Sequence, residues 1–440
     1  MIGAKGGLGD VVRRLTSRDG IGRGVFGVGA MQGVKLVATL AVAALLARAL
    51  GPEGYGLFMH ISSLVFVAAV PVAAGLPNLL VRETARYDHE GRWDLLAGLL
   101  RRSHQFVALA SFLIVLPACL FALWQMRGSD DPYWPVFAIS IWIIPFLALS
   151  GLRAGLLKGL RMPMQGNSPE FFARPLAYLA LVMGIIVAGR TDPVNASWAQ
   201  LGSVATSFLV GALILRKFGA PALSKAKPAF DDRVWLRAWL PFTLLAGVTT
   251  ANLQIGLVLM GWLTDDVQAG YFAIGITIAN VIMLPLQVVN IVVAPHFARS
   301  FQQGDKARLQ SLAHDAARLA LLAGAPLSLG FVVLGPQLIE WGFGTEYAPA
   351  YLPLLWLAGG QLVNVVAGSA GQLLNMSGNE RVTTCAIVVG LLINIGLCIL
   401  LVPKFGAVGA AMAGAASVTS WNLLMVIAAW RRTGVRSLAL

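Results

Sequence analysis

The sequence predicts an all-α polytopic membrane protein with about twelve transmembrane helices, arranged as two pseudo-symmetric six-helix bundles. Composition gives the first reason: 57% of the 440 residues are hydrophobic and only 12% are charged, about half the charged fraction of a soluble domain. The second reason is a series of apolar runs, each near the roughly 20 residues that a helix needs to cross a bilayer. The third is an internal repeat.

Twelve apolar runs follow one another along the chain. The first one succeeds a basic segment and is too long for a signal-peptide core of about 7–15 residues, so we interpret it as a retained first span. The predicted spans are roughly residues 24–48, 55–79, 104–124, 134–157, 171–189, 196–215, 240–263, 268–295, 316–336, 350–374, 384–402 and 407–430.

Basic residues are distributed unevenly between the two sides of the predicted membrane. Of the 33 lysines and arginines, 28 lie in the termini and in the loops on the terminal side, four lie on the opposite side, and Lys35 lies inside the first span. The positive-inside rule therefore predicts cytoplasmic termini. The net charge of +13 is accounted for by a cytoplasmic face that touches anionic membrane lipid, so no nucleic-acid partner is expected.

Two segments on this face are distinct from the spans. Residues 82–102 combine leucines with arginines in a pattern typical of an amphipathic surface helix. Residues 216–239 contain two prolines and six basic residues, and we interpret them as a cytoplasmic linker. The predicted domains are therefore an N-terminal bundle at 1–215, the linker at 216–239 and a C-terminal bundle at 240–440.

An internal repeat relates the two bundles. The motif Gly-Leu-Phe at 56–58 aligns with Gly-Tyr-Phe at 270–272, at an offset of 214 residues. A glycine followed by a leucine pair at 151–157 aligns with the same pattern at 368–374, at an offset of 217. Six spans in each half make the repeats parallel, and transporters built this way bind substrate where the repeats meet.

Three segments carry a family resemblance. The hairpin at 47–56, the segment Phe343–Ala350 and the connection at 394–411 resemble bacterial polysaccharide-transport proteins. These are the O-antigen-type oligosaccharide flippases of the multidrug/oligosaccharidyl-lipid/polysaccharide exporter superfamily.

The resemblance implies a function. A flippase of this type moves an undecaprenyl-pyrophosphate-linked oligosaccharide from the cytoplasmic to the outer leaflet of the bacterial inner membrane by alternating access. The implied process is biosynthesis of O-antigen lipopolysaccharide, capsule or exopolysaccharide, and the implied partners are a polysaccharide polymerase and chain-length machinery.

Flipping such a lipid requires cations for the pyrophosphate and amides for the sugar hydroxyls. Lys35 stands out because it lies deep within an apolar run. Snorkelling of cations to the interface and hydrogen bonding of amides between helices are the alternative interpretations. The candidate phosphate ligands are Lys35, Arg48, Arg82, Arg153 and Arg174, and the candidate sugar ligands are Asn280, Asn290 and Asn364.

The acidic residues bear on the alternative functions. All 20 fall in tails, loops and span ends, with Glu83, Glu170 and Glu340 nearest the bilayer. A cation-coupled multidrug exporter of the same superfamily usually needs a carboxylate within the membrane. A membrane polysaccharide polymerase or ligase would need larger outer loops for its catalytic residues. We therefore expect a transporter with no catalytic residues, metal site or cofactor.

Overall fold

The computed structural model describes residues 21–219, 223, 226–435 and 437–438, and it describes residues 21–30 by their backbone alone. Throughout these residues the protein is helical and contains no β-strand, which confirms the predicted fold class. We number its α-helices α1 Ile21–Ala68, α2 Val70–Ala73, α3 Leu76–Glu90, α4 Trp93–Gln125, α5 Tyr133–Ser140, α6 Ile143–Gly159, α7 Pro163–Ser168, α8 Arg174–Val187, α9 Pro193–Phe218, α10 Asp232–Leu263, α11 Asp266–Ala279, α12 Leu284–Gln302, α13 Lys306–Phe343, α14 Tyr351–Ala367, α15 Ala370–Met376 and α16 Glu380–Thr433.

Ten helical stretches in the described part of the chain are long and apolar enough to cross a membrane. Two of them, in α1 and α16, are each a pair of helices that meet at a non-helical glycine. Counting each pair as two segments gives the twelve spans that the sequence predicts.

The breaks in α1 and α16 are set by glycine conformation. Gly51 has φ 67° and ψ 175°, and Gly406 has φ 54° and ψ −131°. A residue with a Cβ adopts such positive φ values only with strain, whereas glycine adopts them readily. Pro52 follows Gly51 directly and suits the first position of the second helix, where its missing N–H leaves no hydrogen bond unmade.

The predicted surface helix at 82–102 is wrong in its boundaries. α3 ends at Glu90 and is followed by Gly91, which has the left-handed φ of 67°. α4 then runs without interruption from Trp93 to Gln125. Leu96 and Leu99 are buried in the same hydrophobic core as Val107 and Val115. One continuous buried face therefore joins residues 93–102 to the third span.

The chain forms two compact units. One is Val37–Gly270, and the other combines Tyr271–Leu440 with the residues up to Leu36. The structure describes this second unit from Ile21 onward. In the second unit α14 packs against α13 and α16. The division into domains at 1–215, 216–239 and 240–440 stays a prediction.

A long seam runs along α10 inside the Val37–Gly270 unit. Gly261 packs against the ring of His60, and Gly247 packs against Val70. Farther along, the Ala74 carbonyl oxygen accepts hydrogen bonds from Trp239 Nε1 at 3.3 Å and Thr243 Oγ1 at 3.1 Å. Ala74 ends α2 in an extended conformation, so its carbonyl has no helical partner and takes these side chains instead.

The seam ends where each of the two repeat glycines packs on a backbone carbonyl of the opposite segment. Gly56 packs on the backbone carbonyl of Asp266, and Gly270 packs on the backbone carbonyl of Pro52. At the repeat offset of 214, Gly56 corresponds to Gly270 and Pro52 to Asp266. We call this the reciprocal glycine contact, and its two halves are related as a two-fold repeat requires.

Replacing Gly56 with alanine should destabilise the protein, because an added Cβ would overlap the Asp266 carbonyl. Overpacking of this kind costs about 1–3 kcal/mol. The control is Gly184→Ala in α8, where a Cβ would meet no atom within 4 Å. The melting temperature of the purified protein should fall for Gly56→Ala and hold or rise for Gly184→Ala. Equal melting temperatures would show that the contact does not constrain the backbone.

Candidate functional site

Both cations that the sequence places on the first span lie on exposed faces of α1. Lys35 and Arg48 are exposed, as is Val37 beside Lys35. The two cations are thirteen residues apart, which is about 20 Å along the helix axis. An exposed lysine inside a span faces either lipid, at considerable cost, or water and a polar ligand.

Arg82 forms part of an ionic cluster at the end of α3. Glu83 is fully buried, and its Oε1 accepts from Arg82 Nε at 2.9 Å and from Arg82 Nη2 at 2.7 Å. Arg86 Nη2 lies 2.8 Å from the other oxygen, Oε2. Arg86 Nε also lies 3.8 Å from Glu90 Oε1, so the cluster contains two arginines and two glutamates and has no net charge.

The ionic cluster is connected to α10 through Tyr87. Arg86 Nη2 donates to the Tyr87 hydroxyl at 2.8 Å, and Trp235 Nε1 donates to the same hydroxyl at 2.9 Å. Trp235 and Tyr87 are both buried. Arg82, predicted as a phosphate ligand, is thus engaged with Glu83, although its side chain is 51% exposed. The sequence gives no signal that Glu83 would be buried.

Arg153 lies on α6 and reaches α9. Its Nη1 donates to the Phe208 carbonyl oxygen at 2.5 Å, and its guanidinium carbon lies 3.6 Å from the centroid of the Phe208 ring. Stacking on an aromatic face suits the planar guanidinium, whose remaining N–H groups stay available for other acceptors.

Arg174 belongs to a second ionic cluster, around a π-helical turn at Pro169–Ala173. Its Nη1 donates to Glu170 Oε2 at 3.1 Å, and Ser207 Oγ on α9 donates to Glu170 Oε1 at 2.8 Å. Glu170 lies inside the membrane-length stretch Pro163–Val187. This stretch begins earlier than the hydropathy pattern indicates, and Glu170 lies seven residues after its start.

The three predicted sugar ligands lie in different local settings within the unit that contains α12 and α14. Asn280 is exposed at the start of a 3₁₀ turn between α11 and α12. Asn290 has a buried side-chain oxygen without a hydrogen-bond partner in the described structure. Asn364 Nδ2 donates to Gln361 Oε1 at 3.2 Å. A buried amide oxygen without a partner is costly, so Asn290 is suited to a hydroxyl donor.

The fold is similar to the folds of two solved membrane transporters. It is similar to an inward-facing multidrug resistance MATE family transporter of the MOP superfamily, with a TM-score of 0.76 and 11% identity over 91% of this chain and 94% of that one. It is also similar to the lipid II flippase MurJ in an inward closed conformation, with a TM-score of 0.71 and 15% identity over 91% of this chain and 86% of that one.

The sequence then defines the family. The chain belongs to the family of polysaccharide biosynthesis proteins, whose model matches residues 21–301, and the predicted family is confirmed. A relative from Haloferax volcanii, the probable low-salt glycan biosynthesis flippase Agl15, is 22% identical over 380 residues, which are 84% of this chain and 75% of the relative.

Removing one arginine from the Glu83 cluster should destabilise the protein. Breaking a buried ion pair costs about 3–5 kcal/mol of stability when the remaining charge stays buried. Because Arg82 still pairs with Glu83 in Arg86→Gln, we expect this variant to lose less stability than that. The control is the double variant Arg86→Gln/Glu83→Gln, in which the buried charge is absent. Thermal denaturation of the purified variants should show a lowered melting temperature for the single variant and partial recovery for the double. A double variant less stable than the single one would contradict this account.

Proposed function

We propose that the protein flips a lipid-linked oligosaccharide, carried on undecaprenyl pyrophosphate, from the cytoplasmic to the outer leaflet of a bacterial inner membrane. The observation that carries the proposal is membership of the polysaccharide biosynthesis family. The flippase name of the Haloferax relative supports it. The proposed product enters O-antigen lipopolysaccharide, capsule or exopolysaccharide biosynthesis beside a polymerase and chain-length machinery. The proposed topology has both termini in the cytoplasm.

The pyrophosphate is proposed to bind cations along α1. Lys35 and Arg48 lie on exposed helix surface, and a phosphate beside either one forms a charge-assisted hydrogen bond that an exposed aliphatic residue cannot provide. Arg82 and Arg174 are proposed as further ligands, and each also pairs with a carboxylate. Arg153 contributes through N–H groups not bonded to Phe208.

The sugars are proposed to bind the predicted amides in the second half of the sequence. Asn290 is the first candidate, since its buried oxygen lacks a hydrogen-bond partner in the described structure and a sugar hydroxyl would supply one. Asn280 and Asn364 are proposed beside it on the same chemical grounds. Several moderate hydrogen bonds of this type suit a substrate that must be released as well as bound.

The carboxylates favour a flippase over the alternative of a cation-coupled exporter. Such an exporter needs a carboxylate that can take up and release an ion. Glu83 is held by two arginines, and Glu170 is held by Arg174 and Ser207. A carboxylate already neutralised by arginine has little affinity for a transported cation.

Substitution of the α1 cations tests the proposal. A charge-assisted hydrogen bond contributes about 1.5–3 kcal/mol, and 1.4 kcal/mol corresponds to a factor of ten in affinity. Lys35→Ala and Arg48→Ala should therefore each weaken binding of lipid-linked oligosaccharide to the purified protein about tenfold or more, with matching loss of flipping in proteoliposomes. Asn290→Ala should alter sugar preference with a milder loss.

Arg127→Ala is the matched control, because Arg127 is an exposed arginine at the end of α4, on the same predicted side as Arg48. It should bind and flip as the unaltered protein does. Normal binding by Lys35→Ala and Arg48→Ala, combined with failure of Asn290→Ala, would reverse the proposed assignment of phosphate and sugar.

A further inference from the structure

A crevice runs along the line where α4 meets α6 and the end of α9, on the surface of the Val37–Gly270 unit. It consists of two adjoining cavities of about 580 Å³ and 470 Å³. His104 lines both cavities and marks the point where they join. We call this feature the α4–α6 crevice.

The larger cavity is almost entirely apolar. Val107, Phe112 and Leu116 of α4 form one wall, and Trp142, Pro145 and Leu149 form the other. Phe112 is 60% exposed and Trp142 is 46% exposed. In a bilayer such a surface is in contact with hydrocarbon, and a concave apolar surface can hold a hydrocarbon chain.

The smaller cavity ends in three cations. Arg153 lies on its wall, and Arg216 and Lys217 come from the last turn of α9. The described residues that line the two cavities include no carboxylate. Cations at a helix C-terminus also interact favourably with the helix dipole. That interaction does not explain why an apolar crevice leads to these cations.

The length of the crevice matches one leaflet. Its lining on α4 extends from Leu100 to Leu116, which is about 24 Å along a helix. Half of a bilayer, from the headgroup region to the midplane, is about 20–22 Å thick. The basic end lies where α4 begins, on the side of the membrane that carries most of the basic loops.

We propose that the α4–α6 crevice binds one anionic phospholipid, with its phosphate at Arg216 and Lys217 and an acyl chain in the apolar part. Basic pockets between transmembrane helices bind anionic headgroups in this manner. The one-leaflet length favours a resident phospholipid over the longer polyprenyl carrier, so this site is separate from the proposed substrate path on α1.

Native mass spectrometry of the detergent-purified protein tests the proposal, with phosphatidylglycerol, phosphatidylcholine and undecaprenyl phosphate added separately. The protein should retain one phosphatidylglycerol in preference to the other two lipids. Arg216→Gln/Lys217→Gln should reduce this retention about tenfold. The matched control is Arg431→Gln/Arg432→Gln, which removes two cations from the last turn of α16 and should leave retention unchanged.

A second pair of variants tests the apolar part. Ala108 lines the crevice, so Ala108→Phe should fill it and reduce retention. Leu109 is 60% exposed and does not line the crevice, so Leu109→Phe should have no effect. Equal retention of phosphatidylcholine, stronger retention of undecaprenyl phosphate, or equal losses in the test and control variants would each overturn the proposal.

Discussion

The reciprocal glycine contact is the constraint on which the Val37–Gly270 unit depends. Gly56 and Gly270 each press against a backbone carbonyl of the opposite segment, which only a residue without a side chain permits. The same close packing continues along α10 at Gly261 and Gly247. Small residues let helix backbones approach where lipid supplies no hydrophobic driving force between them, so glycine positions decide which helices pair along this seam.

Much of the fold could be predicted, because hydropathy and glycine act locally. Run length predicts the spans, and Gly51 followed by Pro52 predicts the break within α1. The start of α4 was not predictable in the same way. Arg92, Arg101 and Arg102 predict an interfacial helix face, whereas the burial of Leu96 and Leu99 depends on residues distant in sequence. Hydropathy cannot report a tertiary contact of that kind.

The candidate site shows the same limit. Sequence alone identifies Lys35 as a cation within a span, and Arg174 follows Glu170 by four residues, a spacing that pairs charges on a helix. Ser207, which completes the Glu170 cluster, is 37 residues away from Glu170 and has no local signal. The burial of Glu83 likewise arises because Arg82 and Arg86 flank it while α10 brings Trp235 onto Tyr87.

In the proposed alternating-access cycle, the reciprocal glycine contact, at the predicted outer end, opens during transport. Spin labels at Glu53→Cys and Asp265→Cys, both exposed positions, report this opening in a variant that lacks the three native cysteines and retains flipping. Double electron–electron resonance in nanodiscs should give one short distance without substrate and a second, longer population with lipid-linked oligosaccharide. A single short distance under both conditions, in protein that still flips its substrate, would contradict the account.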